Sequence, residues 1–458
     1  ADGHLTSTAM SGGIIMCPSD IGAAARYMRE LCRVNGSVAW TDDGVIEAWA
    51  RSMSQNKAWV EKTLGSSVVP FGNAAWARLP GWESMTTYHY RGWGVGLMNA
   101  FLKQVQARKI GVTYQSRAKR LLTDSKGNIV GLNAEVGLPG ESRDLNIRAS
   151  KAVVLTCGGF EYDEAMKLQY LKMYPYYSHG TPANTGDGVR MAMDVGADLW
   201  HMNCCSGRLM AQFPDFPIAF SIDFGGKGST ARDAGHEGSF PQGKMQVGYI
   251  VVDKHGRSYA SGKGRPHQQA YELALFDSYR LEHPRLPSYY IFDQARIDDG
   301  PLPYLHAGAS GPCGAYKWSR DNSAEIEKGW IIRAETVAEL AKKIKIDPDS
   351  LVQTVRAHNE RCGQGGDTLG GKSGDLFPLS NPPYYAVELW PGGFTHGGAR
   401  RNGKAQILNV DGVPIKGLYG AGEFGSVNGM VDASSGSLVG ECIAFGRLAG
   451  DNAAAEKR

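Results

Sequence analysis

The chain has 458 residues, 42% of them hydrophobic and 10% aromatic, enough for a globular protein of two or more domains with a large core. Its net charge is only +3, without long basic runs, which argues against a surface that tracks nucleic-acid phosphates and favours a small organic substrate. No apolar run approaches membrane-spanning length and Ala1-Asp-Gly-His is not a signal peptide, so a cytoplasmic protein without a membrane span is expected.

In chain order, residues 21–32 place Ile21, Ala25, Met28 and Cys32 on one helical stripe. The same period over 46–64, carried by Ile46, Trp49, Met53, Val60 and Leu64 and stopped by Gly65, predicts a second core-facing helix. Leu97, Phe101 and Val105 mark a third. Short strands are predicted at Gly111–Tyr114, Ala118–Thr123 and Ile129–Val136, the last two separated by a Lys126-Gly127 turn. The apolar strand Lys151–Thr156 runs into Cys157-Gly-Gly-Phe160, the place where an open α/β sheet receives a ligand. From about Trp200 to Phe377 aromatics, prolines and histidines crowd a region with helix only near 335–340 and 351–355. Sheet-like sequence returns at Tyr384. The organisation expected is therefore a discontinuous first domain, 1–199 and 381–458, with a second domain inserted at 200–380.

The segment Gly417–Glu423, a Gly/Ser-rich stretch to Ser437 and a helix-like run over Leu438–Ala449 have the chemistry of a flavin site. Glycines let backbone approach a bulky ligand, Glu423 can accept from a polyol, and a helix starting at Ser437 offers free N–H groups to an anionic ring. Gly420–Gly425 satisfies GxGxxG, but no βαβ context follows it and the match is incidental. The eight cysteines show no CxxC pair or zinc spacing and are expected to be reduced, mostly buried thiols, with no metal site. The vicinal Cys204-Cys205 pair is expected to be two small hydrophobes.

Six ordered segments carry a family resemblance: Ser7–Gly13, Val153–Phe160, Asn184–Gly188, Val251–Arg257, Gly417–Glu423 and Phe445–Gly450. Through them the chain resembles the FAD-dependent fumarate reductase and 3-ketosteroid dehydrogenase family. The resemblance implies an α/β fold: a Rossmann-type FAD-binding domain, discontinuous, with an inserted α+β capping domain and substrate held between cap and flavin. It places FAD contacts at Ser7, Thr8, Ser11, Gly12 and Gly13, at Ala118 near the adenine, and at Thr156, Gly158, Thr185, Gly186 and Asp187. Further contacts fall at Gly422, Glu423, Ser437 and Leu438. The histidine that attaches flavin covalently in some relatives aligns with Thr6, so FAD is expected to be non-covalent and His4 a surface residue. Relatives open with a strand, a GxGxxG turn, a helix and a strand ending in Glu, and this chain starts just after that unit, roughly 30 residues short. A segment or partner chain is expected to supply it.

A flavin oxidoreductase of this kind moves a hydride at N5 while a protein acid or base handles the proton on the adjacent carbon. The matching cap segment offers Arg265 and His267 for that role, with Tyr259 close by in sequence. Fumarate-type clamps are replaced: a dicarboxylate-gripping arginine aligns with Asp432, and a histidine aligns with Phe394, with His396 displaced beside Gly397. Asp432 would repel a dicarboxylate or accept from a substrate hydroxyl. Tyr88, His89, Tyr90 and Trp93, with Trp200, Phe213, Phe216, Phe220 and Tyr259, suggest an aromatic entrance suited to a flat apolar substrate. The expected function is desaturation or reduction of a C–C bond α,β to a carbonyl on a steroid-like or aromatic substrate, with an unidentified electron donor or acceptor. Two alternatives stand beside it: an enoate reductase for urocanate- or cinnamate-like acids clamped by Arg91, Arg208 or Arg265, and a flavoprotein fragment or subunit not competent alone.

Overall fold

A computed structural model describes residues 5–34, 36, 38–73, 75–138, 140–224, 247–260, 267, 269–363 and 377–457. The chain divides into two compact units, Ala1–Leu171 with Thr181–Ser206 and Phe394–Arg458, and Lys172–Gly180 with Gly207–Gly393.

In the first unit, strand Pro414–Gly420 pairs in parallel with Val153–Leu155, Leu418 facing Val153 and Gly420 facing Leu155, and antiparallel with Gln406–Leu408 on its other side. A three-strand antiparallel meander, Ser116–Thr123, Ile129–Val136 and Arg143–Arg148, and a small sheet of Ile14–Met16, Thr87–His89 and Val69–Gly72 complete its strands. The helix Ser437–Ala455 buries one face, Gly440, Ile443, Ala444, Phe445, Ala449 and Ala453. Its Ala444, Phe445 and Ala449 share one core with Met16, Trp49 and Met53.

The period over 46–64 is real, but the structure breaks it into two helices, Asp43–Met53 and Asn56–Leu64. Ser54 Oγ donates back to the Ala50 carbonyl at 2.9 Å, and Asn56 turns its amide away to the carbonyls of Met16 (2.9 Å) and Gly440 (3.0 Å). Both residues compete with helix continuation. Gly65 ends the second helix at φ +69°, as its position implies. Gly111–Tyr114 is not a strand: these residues are exposed, and the meander begins only at Ser116.

The second unit is built on a sheet in the order Phe220–Ser221, Cys205–Ala211, Tyr384–Thr395, Ser288–Asp293, Tyr249–Val252, Ser258–Ala260, with Ile332–Ala334 also pairing to Tyr384–Thr395. Ser288–Asp293 is buried at every position, the mark of a central strand covered on both faces. The aromatics expected at an entrance pack internally instead. Phe213 stacks on Trp330 at 4.2 Å, Phe220 meets Trp318 at 5.0 Å and Phe216 meets Tyr316 at 5.4 Å. Large apolar rings lower free energy most when buried together, the commoner fate of aromatic residues. In the first unit Trp200 likewise stacks on His201 at 4.5 Å in buried surroundings.

Candidate functional site

A cavity of about 530 Å³ lies within the first unit, lined by Ser7, Thr8, Ser11, Phe394, Glu423, Leu438 and Cys442 together with apolar side chains that include Trp59, Leu97, Phe101, Val439 and Ile443. Its polar lip is made by the turn after the short helix Ser7–Met10. Thr6 caps that helix, its Oγ1 accepting from the Ala9 N–H at 3.2 Å, and Ser11 Oγ donates to the Thr8 carbonyl at 2.7 Å while accepting from the Gly13 N–H at 3.1 Å. Gly13 has φ +59°, and a Cβ there would lie 2.4 Å from the Trp93 backbone, while one on Gly94 would lie 2.2 Å from the Thr8 carbonyl. The two glycines let the helix Trp93–Ala107 approach the serine turn closely. Thr6→Ala removes one cap bond and is expected to cost about 1 kcal/mol, read as a lower unfolding midpoint of the cofactor-free chain.

Glu423 is the most heavily arranged group in the cavity wall. Its Oε2 accepts from Asn184 Nδ2 at 3.1 Å, and its carboxyl is hydrogen-bonded to that of Glu161. Burial first, then the neighbouring Glu161 carboxylate, hold its pKa well above the ordinary 4.5. Glu161 is itself buried, taking the Thr395 N–H (2.6 Å) and hydroxyl (2.7 Å) on Oε1. Ser437 opens the long helix with a buried Oγ that lacks a partner. Glu423 lies in the cavity wall with the hydroxyls of Ser7, Thr8 and Ser11, while Glu161 and Ser437 stand behind that wall, and such a polar rim suits a polar ligand. Hydroxyls, a carboxylate and a helix start suit a polyol chain and an anionic ring, so these residues fit FAD. Cys442 opens onto the same cavity, although dense surroundings push its pKa up to about 12.

A second group gathers at the C-terminal end of the parallel strand Val153–Leu155, where Thr156 and Gly158 follow it. Gly158 has φ +74° and a Cβ there would meet Asn184 Oδ1 at 2.2 Å, so its lack of a side chain lets the turn lie against the Asn184 side chain that bonds Glu423. Gly186 caps the helix Asp187–Asp194, and Thr185 precedes it. Ala118 sits on the meander strand Ser116–Thr123, and beside it Arg117 grips Asp187 with two bonds of 2.8 and 2.9 Å. Each Asp187 oxygen thus takes one guanidinium bond and keeps a further lone pair, so the pairing orients the carboxylate without exhausting it as an acceptor. Gly12 lies half-buried in the serine turn, and Gly422 at φ +77° leads into Glu423.

The substrate-side residues scatter. Tyr90 is packed into the cluster of Ile15, Val60, Leu64, Val68, Leu97 and Ile443, so its ring belongs to the core. His396 is fully buried with Nδ1 on the Gly429 carbonyl at 2.8 Å, and Asp432 is buried with Oδ2 accepting from Ser206 at 2.9 Å. Only Phe394 of these reaches the cavity. In the second unit Tyr259 shares a 2.6 Å hydrogen bond with Ser288 and lies under Arg285, while burial carries its pKa upward. Arg265 and His4 lie outside the described residues.

His267, also in the second unit, has company that sequence did not reveal. Its Nε2 meets Arg208 Nη2, and since a guanidinium can only donate, Nε2 is the acceptor. Arg208 lies over Tyr304 at 5.3 Å, and Tyr304 meets His306 at 5.6 Å. His179 belongs to the same group: burial, then the charges of Arg208, His267 and His306, hold its pKa well below 6.5. Sequence reading missed His179, His306, Glu161, Arg401 and Glu441. Only Glu161 carried a local signal, an acidic residue directly after the Gly-Gly-Phe strand end. Among the described residues no His, Cys, Asp and Glu cluster could hold a metal ion, and no helix is long and apolar enough to cross a membrane.

The family model described as FAD binding domain matches residues 4–438. A 4-oxocyclohexanecarboxylate 2-dehydrogenase of Sinomonas cyclohexanicum is 29% identical over 364 residues, covering 74% of this chain and 57% of that protein. A 3-oxosteroid 1-dehydrogenase of Mycobacterium tuberculosis is 26% identical over 396 residues, covering 80% of this chain and 64% of that protein. The chain thus spans less than two thirds of the length of these relatives. A solved 3-ketosteroid delta1-dehydrogenase of Sterolibacterium denitrificans superposes with a TM-score of 0.79 at 20% identity, covering 99% of this chain and 93% of that one. The likeness shows the fold: α/β, a Rossmann-type FAD domain with a capping domain.

Proposed function

The chain belongs to the family of FAD binding domains, and from that premise we propose an FAD-dependent oxidoreductase that desaturates or reduces a C–C bond α,β to a carbonyl. The observation that carries this reading is the first-unit cavity, whose wall brings together Ser7, Thr8 and Ser11, the buried carboxyl of Glu423, and Leu438 in the first turn of the helix Ser437–Ala455. When bound, FAD supplies hydride acceptance or donation at N5. Ser7, Thr8 and Ser11 hold anionic or hydroxyl oxygens, Glu423 accepts from the polyol, and the first N–H groups of the helix Ser437–Ala455 favour negative charge on the ring. Thr6 offers no ring nitrogen for attachment and its oxygen is engaged as a cap, which supports a non-covalent cofactor. Proton handling falls to His267, whose Nε2 is oriented by Arg208.

The test is direct. Purified chain should carry about one FAD per molecule, acid precipitation should release that flavin into the supernatant, and anaerobic mixing with a panel of enones, saturated ketones and unsaturated acids should change its absorbance. A flavin spectrum that no member of the panel alters sinks the reading; flavin retained in the pellet sinks the non-covalent part.

One observation favours a substrate that bears a carboxylate. Arg208 with His179, His267 and His306 forms a cationic, donor-rich group, whereas the rings expected to receive a steroid are core. The name of the Sinomonas relative joins a ring ketone to a carboxylate, in keeping with this second reading.

A further inference from the structure

We infer that Arg401 is a positioning residue for the cofactor site: it fixes the place of Glu423 by holding the two carbonyls on either side of it. The inference rests on the flavoprotein reading above and assigns a determinant of cofactor affinity that lies outside the cavity wall. Arg401 is fully buried, and its Nη1 donates to the Gly422 carbonyl at 3.3 Å and the Phe424 carbonyl at 3.1 Å. Its Nη2 pairs with Glu441, also fully buried, on the helix Ser437–Ala455. Glu441 in turn accepts from the Val427 N–H at 2.9 Å and the Ser426 hydroxyl at 2.8 Å. Leu438 and Cys442, flanking Glu441 on the helix, line the cavity. The ion pair therefore binds the loop that bears Glu423 to the helix whose start faces the ligand.

This arrangement does more than fill space. A buried pair of charges is rarely the cheapest way to stabilise a core, since apolar residues of similar volume do as well or better. A guanidinium can satisfy two carbonyls and a carboxylate at once because its donors are fixed in one plane, which an ammonium cannot reproduce. Phe424 and Val427 anchor the loop in the core, but Gly422 at φ +77° and Gly425 at φ +80° present no side chain on either side of the Glu423–Phe424 pair, and there the Arg401 bonds fix the carbonyls.

Titration of the full chain with FAD, followed by flavin fluorescence and by visible circular dichroism of the bound flavin, tests the assignment. Arg401→Lys keeps a charge beside Glu441 but loses a carbonyl contact, so Kd for FAD should rise on the order of tenfold with an altered dichroism spectrum. Arg296→Lys is the control: Arg296 is equally buried in the second unit and donates to the carbonyls of Asp223, Gly300 and Pro301. It should lower the thermal midpoint and leave Kd unchanged. Glu441→Gln, which keeps one acceptor oxygen and turns an amide donor to the other partner, should raise Kd several-fold and serves where Arg401→Lys does not fold. A wild-type Kd and spectrum in Arg401→Lys, or an equal change in Arg296→Lys, overturns the inference. Failure of both Arg401→Lys and Glu441→Gln to fold would make the pair a folding element and overturn it as well. A wild-type chain that takes up no FAD would refute the flavoprotein reading itself, before any variant is compared.

Discussion

Glu423→Gln is expected to make the cofactor-free chain more stable at neutral pH and a worse binder of FAD. Burial and the adjacent Glu161 both disfavour ionised Glu423, with only Asn184 among its side-chain contacts pulling the other way. The folded chain therefore holds the Glu423 proton more tightly than the unfolded chain, whose carboxyl titrates near the ordinary 4.5. Above that pH the unfolded state releases its proton first, so stability falls as pH rises until the folded pKa is passed. Glutamine is neutral throughout and can still accept from Asn184. The variant should lose the pH dependence and unfold at a higher temperature than the parent at neutral pH. For a unit of this size each kcal/mol moves the midpoint by about 2–4 °C. FAD affinity should fall about tenfold, because glutamine cannot ionise to meet the polyol hydroxyls as the acid does once they favour its charged form. Thermal scans of cofactor-free protein from about pH 5 to about pH 8, together with an FAD titration, check both halves; parallel pH profiles for the two proteins would refute the account.

The trade between stability and binding at Glu423 also shows what sequence could reveal. The parallel strand before Gly158, the helix start at Ser437 and the acid at Glu423 are local features, written in consecutive residues, and they were legible. What tunes them is not local. Glu161 meets Thr395, Arg401 meets Glu441 and Asn184 meets Glu423 across long stretches of chain, and no period or spacing encodes such pairs. The aromatic cluster failed for the opposite reason. Phe213, Phe216 and Phe220 are prominent in sequence, but prominence does not say whether a ring faces solvent, a ligand or Trp330. Asp187 was marked in sequence only as an expected FAD contact, and its engagement with Arg117 depends on a strand 70 residues away.

Arg208→Met is expected to separate acids from neutral ketones. Arg208 sits on the strand Cys205–Ala211 with His267 against its Nη2, Ser221 Oγ at 3.4 Å and the Tyr304 ring beneath it. His179 is kept neutral chiefly by burial and further by the charge of Arg208, so at neutral pH the guanidinium supplies this group's fixed positive charge. A carboxylate docking here would pair with that fork and take hydrogen bonds from the imidazoles. Methionine preserves length and the apolar contact with Tyr304 while removing the charge. Losing one partner of a desolvated pair costs about 2–5 kcal/mol, so kcat/KM for unsaturated or oxo acids should drop about thirtyfold to several-thousandfold. A neutral enone lacks the group that Arg208 would hold, and its kcat/KM should change by no more than about threefold. Arg208→Lys should recover part of the loss on acids, since charge returns without the fork. Steady-state kinetics on a matched acid and methyl ester decides the matter, because the pair differs only in the charge at issue. Equal losses on acid and ester would sink the acid reading and leave Arg208 acting through the proton held by His267, on which both substrates depend alike.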